Sequence, residues 1–314
     1  MTISIEPTRR LIPLTVFGLN AKKDFPGLNP GEFTPAATDH YLFREDLLFL
    51  GMSWLEGSGP KGKNLSLYGP QGAGKSSFVF ELAAKAGWEV FHFSAGGSAE
   101  SGGLVGKVTL DKGDMKFDPG PLLLAAARGG ILLIDEVDLL SPDEAAALNA
   151  VLDDRPIPVP DGVGIKEKYL RPRPEFRIAV TSNTGGIGDR NRQFAGAKKQ
   201  HGGFLDRFRS ARIGYLSETE ELSILNGVCP SLDPTVAKSM VKVAAEVRRQ
   251  FEAAEIGVTY STRSLHQWSN DFLKLGGSSL KKPLSTTFRW SLPVCSVEDA
   301  TAVDNVLALH LGSA

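Results

Sequence analysis

Residues 69–76 read Gly-Pro-Gln-Gly-Ala-Gly-Lys-Ser, which fits the pattern GxxxxGK followed by Ser or Thr. The run Asn64–Tyr68 ahead of it reads as a short strand, and helical periodicity takes over through 77–86 behind it. A strand that ends in such a loop and restarts as a helix constrains the fold more than any other stretch here. Gly72 and Gly74 let the backbone turn its N–H groups inward around a phosphate. The helix that follows aims the positive end of its dipole at the same group. Lys75 can reach the β- and γ-phosphates of a nucleotide, and the Ser76 hydroxyl can ligate magnesium. A chance glycine turn holding Lys-Ser would lack the strand and helix that flank this one.

Phosphates and magnesium also call for carboxylates. Ile131-Leu132-Leu133-Ile134 supplies four apolar positions and then Asp135-Glu136. Such a run is a buried central strand, and α/β sheets place their sites at the carboxyl ends of their strands. Asp135 is the candidate to hold magnesium, and Glu136 the candidate to polarise an attacking water. Asp138 reads equally as a helix-capping or a surface acid. The strand Phe176–Thr181 ends in Ser182-Asn183-Thr184, where an amide beside the acids could orient that water or serve only as a turn residue. Arg207 and Arg209 flank Phe208, on opposite sides if the segment is extended, and one could reach out of its domain. Arg263 falls in the first turn of a helix, where a cation opposes the dipole and invites an anion.

Composition mostly removes alternatives. Acidic residues number 36 and basic residues 35, a formal charge of -1, so nothing general draws the chain to nucleic acid or an anionic membrane. Cys229 and Cys295 stand alone, which excludes a disulfide scaffold and a cysteine zinc site. The five histidines show no metal-binding spacing, and His92, on the face opposite Phe91 and Phe93, reads as an ordinary strand histidine. The apolar stretch 11–19 is too short to span a bilayer and is broken by Pro13, so a cytoplasmic location without targeting or membrane elements is expected. Glycine, at 34 of 314 residues, is about 11% against about 7% in average usage, which places emphasis on loops.

Along the chain, residues 1–40 read as an irregular, proline-broken leader, followed by a helix over 41–50 and a GSGPKGK linker at 57–63. Strands alternate with helices up to about residue 216, the pattern of a parallel sheet flanked by helices. A glycine-rich insert occupies 94–120 and can hold a small hairpin; a second hairpin-like insertion spans 157–173. Ser141 and Ser217 each open a capping box. Residues 217–314 read as helical, with helices over 219–226, 234–256, 261–275 and 297–311. The division is therefore an α/β nucleotide-binding domain at 41–216 and a helical domain at 217–314.

Taken in order, GPQGAGKSSFVFELAAKAGWEVFHF (69–93), LVGK (104–107), GGILLIDEVDLLSPDEAAALNAVLDD (129–154), the stretch 181–208 and STR (261–263) resemble the MoxR-like group of AAA+ ATPases. Within that group the chain is most similar to the small ATPase subunits of aerobic cobaltochelatases and their relatives. The resemblance covers roughly residues 40–270. It implies a P-loop NTPase fold of AAA+ type with a helical lid, and magnesium-dependent ATP hydrolysis. Gly69, Pro70, Gln71, Gly72, Ala73, Gly74, Lys75, Ser76 and Ser77 would form the Walker A loop, with Asp135 and Glu136 as Walker B. Asn183 would be sensor 1, Arg207 or Arg209 the arginine finger, and Arg263 sensor 2. Members form hexameric rings that remodel a protein partner, commonly one with a von Willebrand A domain. Three readings stand beside that one: a cobaltochelatase-type subunit, a nucleic-acid motor using Lys166, Lys168, Arg171, Arg173 and Arg177, and a nucleotide-gated binding module. The Gly/Ser-rich insert departs from the more charged and aromatic stretch of the chelatase subunits.

Overall fold

The computed structural model describes residues 6–95, 103–111, 114–140, 142–159, 168–188, 198–275 and 282–311. The expected Ser141 cap, Lys166, the tip of the 157–173 hairpin and part of the glycine-rich insert lie outside these residues. The described part of the leader holds two strands, β1 (Arg9–Pro13) and β2 (Asp24–Leu28), paired antiparallel. The leader is thus more regular than its prolines imply: Pro13 closes one strand, and Pro26 lies within the other of a two-stranded ribbon, where edge positions tolerate a missing donor. Ile12, Phe25 and Leu28 are buried.

Next come α1 (Glu45–Leu55) and α2 (Gly59–Lys63), so the GSGPKGK stretch is a helical turn with Pro60 near its start. The chain continues as β3 (Asn64–Tyr68), α3 (Lys75–Ala86), β4 (Val90–Ser94), the hairpin β5 (Gly106–Asp111) and β6 (Asp114–Pro119), α4 (Pro121–Arg128) and β7 (Ile131–Asp135). Then follow α5 (Pro142–Leu152), the short pair β8 (Ile157–Pro158) and β9 (Tyr169–Leu170), β10 (Arg177–Ser182), α6 (Gly202–Leu205) and β11 (Arg209–Arg212).

Five of these strands form one sheet in the order β11-β3-β10-β7-β4, and every pairing is parallel. A parallel sheet needs a crossover between neighbours, which is why helices separate its strands in sequence. The strand before the phosphate loop, β3, and the strand before the acids, β7, are not adjacent. Strand β10 lies between them, paired Ser182 to Tyr68 on one side and Val180 to Ile134 on the other. Three polar strand ends therefore meet at one edge. Ile131–Ile134 are fully buried, as the unbroken apolar run requires of a strand covered on both faces.

Arg177, grouped from sequence with a possible basic patch, is buried instead. Its guanidinium donates to the carbonyls of Trp54, Leu55, Pro174 and Phe176, and burial pulls its pKa down to about 10. Arg173 donates to the Ala127 carbonyl. Of that cluster, only Lys168 and Arg171 are plainly exposed among the described residues.

A second compact unit comprises residues 39–42, 70–74 and 214–314. It contains α7 (Glu218–Val228), α8 (Pro234–Glu252), α9 (Thr262–Leu275), α10 (Pro283–Ser291) and α11 (Val297–Leu311). Ser217 and Glu220 form the expected capping box, and Asp233 caps α8. Helix α10 had no sequence expectation; Pro283 at its start and Phe288 in its core account for it. Tyr260, Trp268 and Phe288 pack as an aromatic cluster with centroids 4.6–6.1 Å apart. Glu221 accepts from Arg248 Nη1 at 2.7 Å and from Thr262 Oγ1 at 2.8 Å, while Arg248 Nε donates to the Tyr260 carbonyl. These bonds fix the first turn of α9, where Arg263 stands.

Candidate nucleotide site

The phosphate loop departs from β3 through Gly69, whose φ of +146° is disfavoured for an L side chain. A Cβ there would lie 2.0 Å from the Ile213 carbonyl oxygen, so the backbone approach itself demands glycine. Gly72 and Gly74 are also in the positive-φ region, at +70° and +91°. A Cβ on Gly72 would lie 2.2 Å from the Ser261 Cβ, and Tyr215 Oη donates to the Gln71 carbonyl at 2.8 Å. Pro70 and Ala73 complete the turn, joined by an Ala73 N–H to Pro70 carbonyl bond. Helix α3 then starts at Lys75, with Ser76 and Ser77 in its first turn.

Lys75 is 8% exposed, and its ammonium donates to the Gly69 carbonyl and to Asn183 Oδ1, both at 2.9 Å. Burial lowers its pKa to about 8, against the opposing pull of Asp135, Glu136 and Asp138. Ser76 Oγ donates to Asp135 Oδ1 at 2.6 Å, and Thr181 Oγ1 donates to the same oxygen at 2.7 Å. The other carboxylate oxygen, Oδ2, accepts from His92 Nε2 at 2.8 Å. Burial pushes the Asp135 carboxyl upward, but the bonds from His92, Ser76 and Thr181 outweigh it and hold it below the usual carboxylate range.

Glu136 has φ +59° and ψ +46°, a left-handed conformation that costs a glutamate about 1–2 kcal/mol. Its amide donates to Thr181 Oγ1 at 3.2 Å. Thr181 thus ties both acids to β10, and nothing in its sequence context marked it. Backbone strain of this kind concentrates where a side chain must be aimed rather than packed.

At the edge where β3, β7 and β10 end, Lys75 bonds to Asn183 and Ser76 bonds to Asp135, with Glu136 next along the chain. Among the described residues, Arg207 and Arg209 bond to groups other than these four side chains. The segment is not extended at Arg207, which sits in a helical turn with its N–H on the Phe204 carbonyl. Its guanidinium is held by Asp153 at 2.7 and 3.2 Å and by the Gly203 carbonyl at 2.6 Å. Arg209 opens β11, donates to Ser53 Oγ at 2.9 Å and lines a cavity of about 550 Å³. Arg263 belongs to the helical unit. His92 is the residue sequence reasoning passed over. It faces away from Phe91 and Phe93 as expected, but that face carries Asp135 on the adjacent β7.

Residues 64–200 match the family profile of the AAA domain, dynein-related subfamily. The chain is an ATPase with an AAA domain, and it is similar to ATPases of the MoxR-like group. It is 24% identical over 283 residues to the aerobic cobaltochelatase subunit CobS of Sinorhizobium sp, covering 86% of this chain and 82% of that protein. It is 29% identical over 187 residues to protein CbbQ of Hydrogenophilus thermoluteolus, covering 59% of this chain and 65% of that one. It is also 23% identical over 242 residues to von Willebrand factor A domain-containing protein 8 of Mus musculus, covering 69% of this chain and 12% of that protein. No helix among the described residues of the ATPase is long and apolar enough to cross a membrane.

The family brings a nucleotide and usually magnesium, and the donor set fits a hard divalent cation. A hydroxyl and a carboxylate oxygen stand 2.6 Å apart at the head of α3. His92 Nε2 bonds the other oxygen of that carboxylate. Replacing His92 by Ala in this ATPase is expected to raise the magnesium needed for half-maximal turnover by about 10-fold or more, the usual effect of losing an outer-sphere partner. Manganese binding followed by electron paramagnetic resonance should weaken in parallel, with ATP binding in chelator unchanged. An unaltered metal dependence would return His92 to the role of a plain strand residue.

Proposed function

We propose that this ATPase performs magnesium-dependent ATP hydrolysis within a hexameric ring that remodels a protein client, in the manner of a MoxR-like chaperone. The observation that carries the reading is the two hydrogen-bonded pairs, Lys75–Asn183 and Ser76–Asp135, at a single sheet edge, with the Glu136 backbone held beside them. In this reading Gly69–Ser77 receive the triphosphate, the loop amides taking the β-phosphate and the Lys75 ammonium the β- and γ-oxygens. Bound magnesium, held by Ser76 and Asp135, would neutralise charge on the phosphates. Glu136 polarises the attacking water and accepts its proton, while the Asn183 amide orients that water. Phosphoryl transfer to water depends on positioning and electrostatics, so the γ-phosphate also needs cations. Arg207 or Arg209 of a neighbouring subunit supplies one, and Arg263 of the helical unit supplies another.

A client with a von Willebrand A domain is supported by the likeness to a mouse protein that carries such a domain in its name. The likeness to a cobaltochelatase subunit supports the narrower reading that the client belongs to a metal-insertion complex. The ring itself is tested by light scattering on the purified chain. With a slowly hydrolysed ATP analogue, a mass of about six copies is expected, and specific ATPase activity should rise with protein concentration through the assembly range. Full turnover by a species that stays monomeric would overturn the ring and the trans-acting arginine together.

A further inference from the structure

Asp138 stands one 3-10 turn beyond the acidic pair and is 3% exposed. Its Oδ2 accepts from Ser182 Oγ at 2.6 Å, from Thr184 Oγ1 at 2.9 Å and from the Thr184 amide at 3.3 Å. Ser182 Oγ in turn accepts from the Thr184 amide at 3.1 Å and the Gly185 amide at 2.6 Å. A single buried carboxylate oxygen therefore grips the residues on both sides of Asn183. The backbone carbonyl of Asp138 accepts from the Lys198 amide at 3.0 Å, which fixes the chain where it returns to the same edge.

The turn needs such a grip. Gly185, Gly186 and Gly188 all have positive φ and no side chain, so these three positions offer no side-chain bond to hold Asn183 in place. A buried carboxylate is costly unless it is well bonded, and Oδ1 of Asp138 has no partner among the described residues. The other oxygen spends all of its bonding on the Asn183 turn.

We propose that Asp138 is the positioning residue for Asn183, its carboxylate clamping Ser182 and Thr184 so that the amide between them is held against Lys75 and the nucleotide. The proposal rests on the reading of Asn183 as the residue that orients the attacking water. Asp138 makes no contact with the reacting atoms; it acts through the turn.

The test is a double-mutant cycle on steady-state ATP hydrolysis by the full-length chain. Asp138→Ala is expected to lower kcat by about 10- to 100-fold, the scale of a misplaced catalytic group, with KM for ATP within about threefold. Asn183→Ala should lose a similar factor, and the double variant should be no slower than Asn183→Ala alone. Asp138→Asn keeps an acceptor for both hydroxyls and should recover most of kcat. Should Asp138→Ala fail to fold, Thr184→Ala removes part of the clamp and should show the same non-additivity with Asn183→Ala at smaller amplitude. Parent-like kcat in Asp138→Ala overturns the proposal, as do losses that multiply in the double variant or an Asp138→Asn protein as slow as the alanine variant. Parent-like turnover in Asn183→Ala instead overturns the reading of Asn183 itself.

Discussion

Replacing Glu136 by Gln is expected to abolish ATP turnover while leaving nucleotide binding intact. The substitution keeps the side chain's size and one acceptor oxygen, so the left-handed backbone at this position and its bond to Thr181 should persist. What disappears is the negative charge that draws a proton from water. Loss of a general base lowers rates by about 10²- to 10⁴-fold, and turnover should fall into that range. Equilibrium binding of a fluorescent ATP analogue should stay within about twofold, because Lys75, Ser76 and the loop amides are untouched. The variant should then hold ATP and any client together, which makes it suitable for identifying the client by affinity capture. Hydrolysis equal to that of the parent, in preparations freed of contaminating ATPases, would remove Glu136 from the mechanism.

A comparably large effect is expected at Arg207. An arginine contributed across a subunit boundary accelerates phosphoryl transfer by about 10³- to 10⁵-fold, so Arg207→Ala should reduce kcat by at least about 10³-fold in uniform rings. The choice between the two candidates comes from their surroundings. Asp153 holds the plane of the Arg207 guanidinium in a fork, and both side chains are about a third exposed. Arg209 is turned to Ser53 of its own α1, in a cavity walled by its own chain. Arg209→Ala should therefore change kcat by only a few-fold. Mixing Arg207→Ala with Glu136→Gln protein should restore turnover, because intact arginines then face intact Glu136 residues at some boundaries. No recovery at any ratio would argue against a trans role, and the opposite ranking of the two variants would move the finger to Arg209.

Much of the site is legible in the chain because its parts are local. The loop at 69–76 is set by glycines that alone accept its backbone angles, and Asp135-Glu136 follow an apolar run with no other place than the sheet interior. The features that escaped are those in which distant residues meet. His92 gave no signal because its meaning depends on which strand lies beside β4, and the 3.3–3.4 Å rise per residue of extended chain says nothing about neighbours. Asp138 could not be told from a capping acid until the Ser182–Thr184 turn was seen folded over it. Arg177, close in sequence to other basic residues, is buried with four backbone carbonyls converging on it. Helices α2 and α10 and the leader's ribbon were missed because proline and glycine content predicts breaks, while packing decides whether a break becomes a turn of helix or an edge strand.

What the sequence determined by itself is the set of short-range commitments: an α/β half and a helical half, a phosphate loop, and an acidic strand end. Backbone sterics and hydrophobic periodicity act within a few residues, so one chain suffices to read them. The strand order β11-β3-β10-β7-β4, the clamp on Asn183, the imidazole bonded to Asp135 and the separate surroundings of Arg207 and Arg209 were decided only by tertiary structure. Each depends on which of many compatible pairings buries the most apolar surface while leaving the fewest polar groups unbonded. That balance is struck over the whole fold and cannot be summed from local preferences.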